Sequence, residues 1–194
     1  MCSRFELNEN ARIVVARFGL SVPPPMPNKA EVRPTDPALV IGQGGQGRIL
    51  HWGLDVAWDK RPLINARAET LASRFKRLLG ARVLVPATSW WEWRKEPDGK
   101  TKTKMRLGLA EGGLFALAGL VDGERFTIVT CAPSPSIAHV HDRMPLVLPR
   151  DAEQAWLDPA MPFEDMALGP YEGELRAEVD VEAPAKPKQG DLFG

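Results

Sequence analysis

Residues 82–94 read RVLVPATSWWEWR, and this stretch indicates the fold. It holds two neighbouring runs that are rich in β-branched and aromatic residues, which favour strands. Three similar runs follow: KMRLGLA at 104–110, LFALAGLV at 114–121 and RFTIVTCA at 125–132. The short segments PDGK, EGG and DGE supply tight turns between them. Closely spaced strands joined by tight turns predict a mainly antiparallel, twisted, barrel-like β-sheet.

Helical patterns are few. Periodic apolar residues predict helices over residues 8–20, 66–79 and 151–157. The glycine run GQGGQG at 42–47 lies between two predicted strands. Because it lacks the Gly-Lys-Ser/Thr ending of a phosphate loop and no helix follows it, we expect a hairpin turn there. The predicted class is α+β, with a few helices flanking the barrel-like sheet.

The bulk properties suit one ordinary globular domain. The chain has 194 residues, of which 44% are hydrophobic and 26% charged. Its formal net charge is zero, which argues against coating nucleic acid by bulk charge but leaves room for a local basic groove. We expect a domain over residues 1–170 and a disordered, acidic, proline-bearing tail over residues 171–194.

The chain shows neither an apolar run that could span a membrane nor an amino-terminal secretory signal. Its two cysteines are too few for a disulfide framework, so a reducing compartment is expected. These features predict a cytoplasmic protein, and we expect a monomer. No cofactor and no metal are expected.

The chain begins MCSRF, which places one of its two cysteines directly after the initiator methionine. A small second residue usually allows the cell to remove Met1. Cys2 would then carry a thiol and a free α-amino group, a pair that Cys131 cannot offer. Taken alone, the position favours the simpler alternative of a small buried hydrophobic residue, so the rest of the chain has to decide.

Three other residues are candidates for chemistry. Asn65 in INARAET stands where a strand end meets a predicted helix, where it could equally be an N-cap. Glu92 shares a strand face with Trp90, so partial desolvation would raise its pKa and suit it to proton transfer, unless the strand is an exposed edge. His141 in HVHDRMP precedes a strand, where a lone histidine is more often a packing or surface residue.

Six ordered motifs resemble the SRAP family, the SOS response-associated peptidase group of abasic-site-processing proteins. They run from Met1 to about Leu157: MCSRF, HWGL, INARAET, LVPATSWWEW, FALAGLV and HVHDRMP. The chain departs from the usual pattern at Ser3, where glycine is common, and in SWWEW, where GFYEW is common. The resemblance implies the SRAP fold and an association with the nucleoid during replication.

The resemblance also implies an activity. Family members bind single-stranded DNA and crosslink to abasic sites, whose opened sugar is an aldehyde. The α-amino group of Cys2 would form a Schiff base, and its thiol would close a thiazolidine ring. Asn65 would orient Cys2 and the sugar, Glu92 would move protons in crosslinking and reversal, and His141 would help to protonate the sugar oxygen and contact a phosphate.

Residues near these motifs are expected to contact single-stranded DNA that carries the abasic site. The expected phosphate contacts are arginines, with the last two weaker because they could lie on a solvated helix face: Arg4, Arg67, Arg143, Arg74 and Arg77. Trp52 and Trp91 could stack on bases, although a core position is at least as expected for both.

Two other functions stay open at this point. The first is a cysteine peptidase in which Cys2 pairs with His141 and Glu92, and which removes Met1 autocatalytically. The second is a module that binds single-stranded DNA without a covalent bond and in which Cys2 only packs.

The chain ends in QGDLFG, which resembles the short peptide by which bacterial repair proteins bind the sliding clamp. Gln189, Leu192 and Phe193 would be the contacting residues, with two alternatives: the last two fold back onto the domain, or the match arises by chance. We predict that a peptide of residues 183–194 binds the bacterial clamp, because its two large apolar side chains would fill a pocket, and that the Leu192→Ala/Phe193→Ala peptide does not. Titration by fluorescence anisotropy measures this, and equal binding by both peptides would contradict it.

Overall fold

The computed structural model of the protein describes residues 2–166 and 168–181, and the elements below belong to these residues. The strands are β1 (Phe5–Glu6), β2 (Glu31–Val32), β3 (Pro37–Gly42), β4 (Gln46–Trp52), β5 (Leu54–Val56), β6 (Asp59–Leu63), β7 (Asn65–Arg67), β8 (Arg82–Ala87), β9 (Ser89–Lys95), β10 (Lys102–Leu109), β11 (Phe115–Asp122), β12 (Arg125–Cys131), β13 (Met144–Pro145), β14 (Val147–Leu148) and β15 (Leu175–Val179). The α-helices are α1 (Ala11–Phe18), α2 (Leu71–Arg74) and α3 (Glu153–Leu157), with short 3-10 turns between elements.

Five strands close into a barrel. Their order is β12-β4-β3-β8-β11, and pairing of β11 with β12 completes the ring. The pairs are antiparallel except β12 with β4, which is parallel. All six residues of β8 are buried, as are residues 115–120 of β11, so these strands fill the core. The predicted antiparallel, barrel-like sheet with few helices is confirmed.

A second sheet carries the amino terminus. Its order is β15-β10-β9-β1-β2, and all its pairs are antiparallel. Phe5 of β1 lies opposite Trp90 of β9. Aromatic side chains join this sheet to the barrel, since Phe5 meets Trp52 edge to face at 5.1 Å between ring centroids and Trp90 meets Phe115 at 5.9 Å.

The glycine run at 42–47 forms a hairpin turn between β3 and β4, as predicted. Gly44 and Gly45 have φ values of 72° and 71°, which lie in the left-handed region that favours glycine. The run therefore serves the turn, and the phosphate-loop alternative is wrong.

The prediction of one helix over residues 66–79 is wrong for most of that range. Residues 65–67 form β7, which pairs in parallel with β12, and α2 then lasts four residues. Phe75 interrupts the helix with φ −125° and ψ 22°. Buried Leu71, Phe75 and Leu78 follow a helical spacing, but they pack from separate short turns.

The tail predicted from residue 171 begins too early. Residues 175–179 form β15, which pairs with β10 so that Leu107 lies opposite Ala177. The stretch looks polar because it is an edge strand in which Leu175 is buried while Arg176 and Glu178 are exposed. Residues 182–194, which carry the clamp-like motif, lie outside the described residues.

One buried ion pair connects α1 to α3. Nη1 of Arg17 lies 3.1 Å from Oε2 of Glu153, and their side chains are only 9% and 7% exposed. Arg17 Nε also donates to the carbonyl oxygen of Leu114 at 3.0 Å. Buried charges are tolerated when they are paired and hydrogen-bonded in this way.

We predict that Glu153→Ala lowers the free energy of unfolding by roughly 3 kcal/mol, because it leaves the Arg17 guanidinium buried without its partner. Urea denaturation followed by tryptophan fluorescence measures the change. The control is Asp55→Ala, which breaks a pair with Arg125 in which the aspartate is exposed, and a much smaller loss is expected. Equal losses in both variants would contradict the prediction.

Candidate functional site

Cys2 is held at the start of the second sheet. The residue is 0% exposed, and its Sγ donates to the carbonyl oxygen of Arg4 at 3.6 Å. The carbonyl oxygen of Cys2 accepts a hydrogen bond from Nδ2 of Asn65 at 2.6 Å. Burial, with the charge of Glu92 second, raises the pKa of the Cys2 thiol well above its ordinary value. Cys2 is therefore an oriented neutral thiol at pH 7.

Asn65 reaches Cys2 because it lies in β7, opposite Ile128 of the barrel strand β12. The N-cap alternative is wrong, since Asn65 is a strand residue and the first helical turn begins after Arg67. Its Oδ1 is buried and finds no hydrogen-bond partner among the described residues. Within the described part of the chain, Asn65 thus keeps one acceptor without a donor beside the backbone of Cys2.

Glu92 lies in β9, between β1 and β10, and is 2% exposed. It shares the buried face of Trp90, as the alternation predicted, and the exposed-edge alternative is wrong. Burial raises the pKa of Glu92 to about 7. At neutral pH this carboxyl group can both donate and accept a proton.

His141 lies in the segment between β12 and β13, with its Nε2 3.9 Å from Oε2 of Glu92. Its Nδ1 accepts the backbone N–H of Arg143 at 3.1 Å and lies 2.7 Å from Oδ1 of Asp142. Burial lowers the pKa of His141, so the ring is mainly neutral at pH 7. The ring therefore lies between two carboxyl groups, with Asp142 on its Nδ1 side and Glu92 on its Nε2 side.

The structure therefore brings together the four residues predicted for catalysis. Cys2 contacts Asn65, the charge of Glu92 acts on the Cys2 thiol, and His141 lies next to Glu92. An open groove of about 520 Å³ borders the last two, and its lining is Glu92, Trp93, Lys95, Lys102 and residues 138–142. Among the described residues, no group of three or more His, Cys, Asp or Glu is placed to hold a metal ion.

The arginines expected at phosphates fall into two groups. Arg67 and Arg74 are exposed, and within the described part of the chain no carboxylate lies within 4 Å of either. They remain available to an anion. Arg67 follows Asn65 by two residues, so it is also close to the site along the chain.

The other three arginines already have partners. Arg4 is half-buried, with Nε 3.4 Å from Glu31 and its guanidinium 5.5 Å from the ring centroid of Trp93. Arg77 is paired with Asp122. Arg143 is paired with Glu69, and its Nη2 donates to the carbonyl oxygen of Thr130 at 2.7 Å.

The pairing of Arg143 makes it a brace of the loop that carries His141. A phosphate would have to compete with Glu69 for the same guanidinium. The expectation of a direct phosphate contact is therefore weaker for Arg143, Arg77 and Arg4, which are bound in ion pairs, than for Arg67 and Arg74.

The two tryptophans predicted for base stacking lie in the protein interior. Trp52 is fully buried and its Nε1 donates to the carbonyl oxygen of Ile64 at 2.8 Å. Trp91 is buried and its Nε1 donates to Asp180 at 2.9 Å. The core alternative is correct for both, and the stacking prediction is wrong.

Sequence reasoning missed a tryptophan that does face solvent. Trp58 is 66% exposed in the turn between β5 and β6, directly before the exposed residues Asp59, Lys60 and Arg61. The hairpin leads into Asn65 at its far end. The sequence feature that could have indicated an exposed tryptophan is the run of charged residues that directly follows it in a short turn.

Comparison with known proteins fits this geometry. A sequence profile of the family described as SOS response associated peptidase (SRAP) matches residues 1–182. The chain belongs to the SRAP family. The resemblance drawn from the six motifs is thereby confirmed, and the match includes β15, which the predicted domain limit of residue 170 left out.

Several SRAP relatives carry names that describe a process. The chain is 34% identical to the abasic site processing protein YoaM of Bacillus subtilis, over 90% of this chain and 88% of that protein. It is 36% identical to YobE of the same organism, over 82% of this chain and 83% of that protein. It is 31% identical to YedK of Escherichia coli, over 81% of this chain and 79% of that protein. Both are also named abasic site processing proteins.

Solved structures support the fold. A crystal structure of a protein from Bacteroides thetaiotaomicron superposes with a TM-score of 0.81 at 22% identity, covering 96% of this chain and 97% of that one. A protein from Bordetella bronchiseptica superposes with a TM-score of 0.75 at 22% identity, covering 92% of this chain and 99% of that one. The SRAP fold is therefore shared over nearly the whole chain.

The raised pKa of Glu92 predicts a pH dependence of stability. The folded protein holds the Glu92 proton up to about pH 7, whereas the unfolded chain releases it near 4.5. The folded state therefore binds more protons between these values, and the stability contributed by the neutral carboxyl falls as pH rises through this window. Glu92→Gln removes the titration, so the variant should gain roughly 3 kcal/mol over the wild type between pH 4.5 and 8.

Urea denaturation across this pH range measures the difference in free energy of unfolding. The matched control is Glu178→Gln, which removes a carboxylate from the exposed strand β15 of the same sheet. A constant difference between Glu92→Gln and wild type at all pH values would show that Glu92 does not titrate in this window.

Proposed function

We propose that this protein recognises abasic sites in single-stranded DNA and forms a covalent thiazolidine crosslink to them through Cys2, after Met1 has been removed. The crosslink shields the lesion during replication. The observation that carries the proposal is the position of Cys2, whose backbone is fixed by Asn65 and whose thiol lies in the field of Glu92. The names of the SRAP relatives point to the same lesion.

The reaction needs both functional groups of Cys2. The neutral α-amino group adds to the aldehyde of the opened abasic sugar, and loss of one water gives a Schiff base. The thiol then adds across the C=N bond, so that a C–S bond forms and the thiol proton ends on nitrogen. Since both groups belong to one residue, ring closure is intramolecular and has a high effective concentration. A terminal amine with a pKa near 8 is partly neutral at pH 7.

Asn65 supplies orientation. Its Nδ2 holds the carbonyl oxygen of Cys2, which fixes the direction of the Cys2 backbone. Its Oδ1, which accepts no hydrogen bond from a described residue, can accept an N–H from the amine or a hydroxyl from the opened sugar. Both contacts lower the freedom that Cys2 must lose before the ring closes.

Glu92 and His141 move the protons. With a pKa raised to about 7, Glu92 can take the proton of the attacking group and return it to the departing water. His141 presents Nε2 on the Glu92 side and can protonate the sugar oxygen as the ring opens. The same groups serve the reverse reaction, in which the crosslink is hydrolysed.

The raised pKa of the Cys2 thiol favours this chemistry over a cysteine peptidase. A peptidase nucleophile is a thiolate, which needs a lowered pKa and a cationic partner. Here burial and Glu92 act in the opposite direction. Addition to a Schiff base is compatible with a neutral thiol, because the carbon is already strongly electrophilic and a base lies nearby.

Exposed basic and aromatic side chains would hold the strand. Arg67 and Arg74, which have no described carboxylate within 4 Å, would neutralise phosphates, and Trp58 offers an exposed ring on which a base can stack. Because the net charge of the chain is zero, affinity would depend on these local groups and would fall as salt rises.

We predict that Cys2→Ala abolishes the heat-stable adduct with single-stranded DNA that carries one abasic site. Cys2→Ser should be nearly as defective, because oxygen closes a weaker ring. The matched control is Cys131→Ala, which removes the other buried cysteine and should leave crosslinking intact. Denaturing gel electrophoresis after heating measures the adduct.

Cys2→Ala can still form a borohydride-reducible Schiff base, since its α-amino group remains. A normal yield of heat-stable adduct from Cys2→Ala would refute the proposed chemistry. A peptide panel incubated in parallel identifies a peptidase by turnover of peptides, and binding without either product identifies a non-covalent module.

A further inference from the structure

Two lysines lie directly opposite each other on the hairpin that carries Glu92. Lys95 of β9 is the cross-strand partner of Lys102 of β10. Both side chains are exposed. Like charges at directly opposed positions repel each other and destabilise a sheet, so this arrangement costs stability unless an anion lies between or near them.

The part of the chain that the structure describes does not supply that anion. Among the described residues, no carboxylate oxygen lies within 4 Å of the ammonium group of Lys95 or Lys102. The neighbouring basic residues of the same two strands are different, because Arg94 pairs with Glu96 and Lys104 pairs with Asp180. The unpaired charges are thus confined to one cross-strand position.

That position borders the candidate active site. Lys95 and Lys102 line the same groove as Glu92 and His141, and their charges contribute to lowering the pKa of His141. His139, which is exposed, also lines the groove. Asp142 adds one negative charge at the rim, so the lysines leave the hairpin side of the groove positive.

We infer that Lys95 and Lys102 form a phosphate-binding pair that holds the DNA backbone next to the abasic nucleotide as the strand leaves the active site. The inference rests on the proposed function, which puts a single strand in this groove. A phosphate between the two ammonium groups removes their repulsion and satisfies charges that the described residues leave unpaired. It also explains how a chain of zero net charge can hold a polyanion at this point.

The pair also has a consequence for the arginines predicted from the sequence. Arg143 and Arg77 are engaged in ion pairs, whereas no described carboxylate lies within 4 Å of either lysine ammonium group and both lysines line the groove itself. The lysines therefore take over part of the phosphate contact that the motifs assigned to arginines.

The experiment compares the variant Lys95→Gln/Lys102→Gln with Lys100→Gln, which removes a lysine from the turn of the same hairpin but not from the groove. A third variant, Lys95→Arg/Lys102→Arg, keeps the charges. For each, crosslinking to an abasic oligonucleotide gives the half-saturating DNA concentration and the maximal rate. Fluorescence anisotropy at several salt concentrations gives the affinity of non-covalent binding to an unmodified oligonucleotide.

For the double glutamine variant we expect the half-saturating concentration to rise at least about threefold, since each exposed charge pair contributes modestly. The slope of log affinity against log salt should become shallower by at least about 0.7, the value for one phosphate on a single strand. The fold-change in the half-saturating DNA concentration should exceed any fold-change in the maximal rate. Lys100→Gln and the double arginine variant should behave like the wild type.

The inference is overturned if the double glutamine variant matches Lys100→Gln in affinity and salt slope. It is also overturned if only the maximal rate changes, because the lysines would then act through His141 or Glu92 rather than on phosphate. A failure of the proposed function looks different, since the wild type would form no adduct while the anisotropy comparison would still decide whether the lysines bind the strand.

Discussion

The antiparallel pairing of β1 with β9 is the interaction on which the site depends. Phe5 lies opposite Trp90, and the backbone N–H of Trp91 donates to the carbonyl oxygen of Arg4 at 2.9 Å. Because the strands run in opposite directions, the residues before Phe5 lie beside those after Trp90. The first residues of the chain are thereby brought to Glu92 as part of a sheet, where most proteins have a frayed end.

The same packing gives Glu92 its chemistry. The aromatic contacts that fasten the second sheet to the barrel bury the face that Glu92 shares with Trp90. Desolvation on this face raises the pKa of the carboxyl group to about 7 and also keeps the Cys2 thiol protonated. Ionisation of buried Glu92 therefore lowers the stability of the folded protein. The same burial allows the carboxyl group to act as an acid and a base near neutral pH.

Much of this arrangement could be predicted from the sequence, and the failures have a common cause. The strands between residues 82 and 131 were predictable because alternation and tight turns are local signals. The parallel pairing of β7 with β12 joins segments more than 60 residues apart, so the INARAET stretch looked helical although Asn65 lies in a strand. Likewise, β15 looked disordered because its polar residues face solvent on a sheet edge that only the fold reveals.

The four catalytic candidates were found because the order of the motifs identified the family. The partners and the burial of the side chains around them could not be predicted in this way. Whether an arginine is free depends on partners distant in sequence, as with Arg143 and Glu69, and burial separates Trp52 from exposed Trp58. The central claim is that both groups of Cys2 end in one ring. Intact mass spectrometry of the purified adduct, before and after borohydride, tests it most directly. The account predicts a mass equal to protein without Met1 plus DNA minus one water, mapped to Cys2 and unchanged by borohydride. A gain of two hydrogens on reduction, or an adduct mapped to another residue, would contradict it.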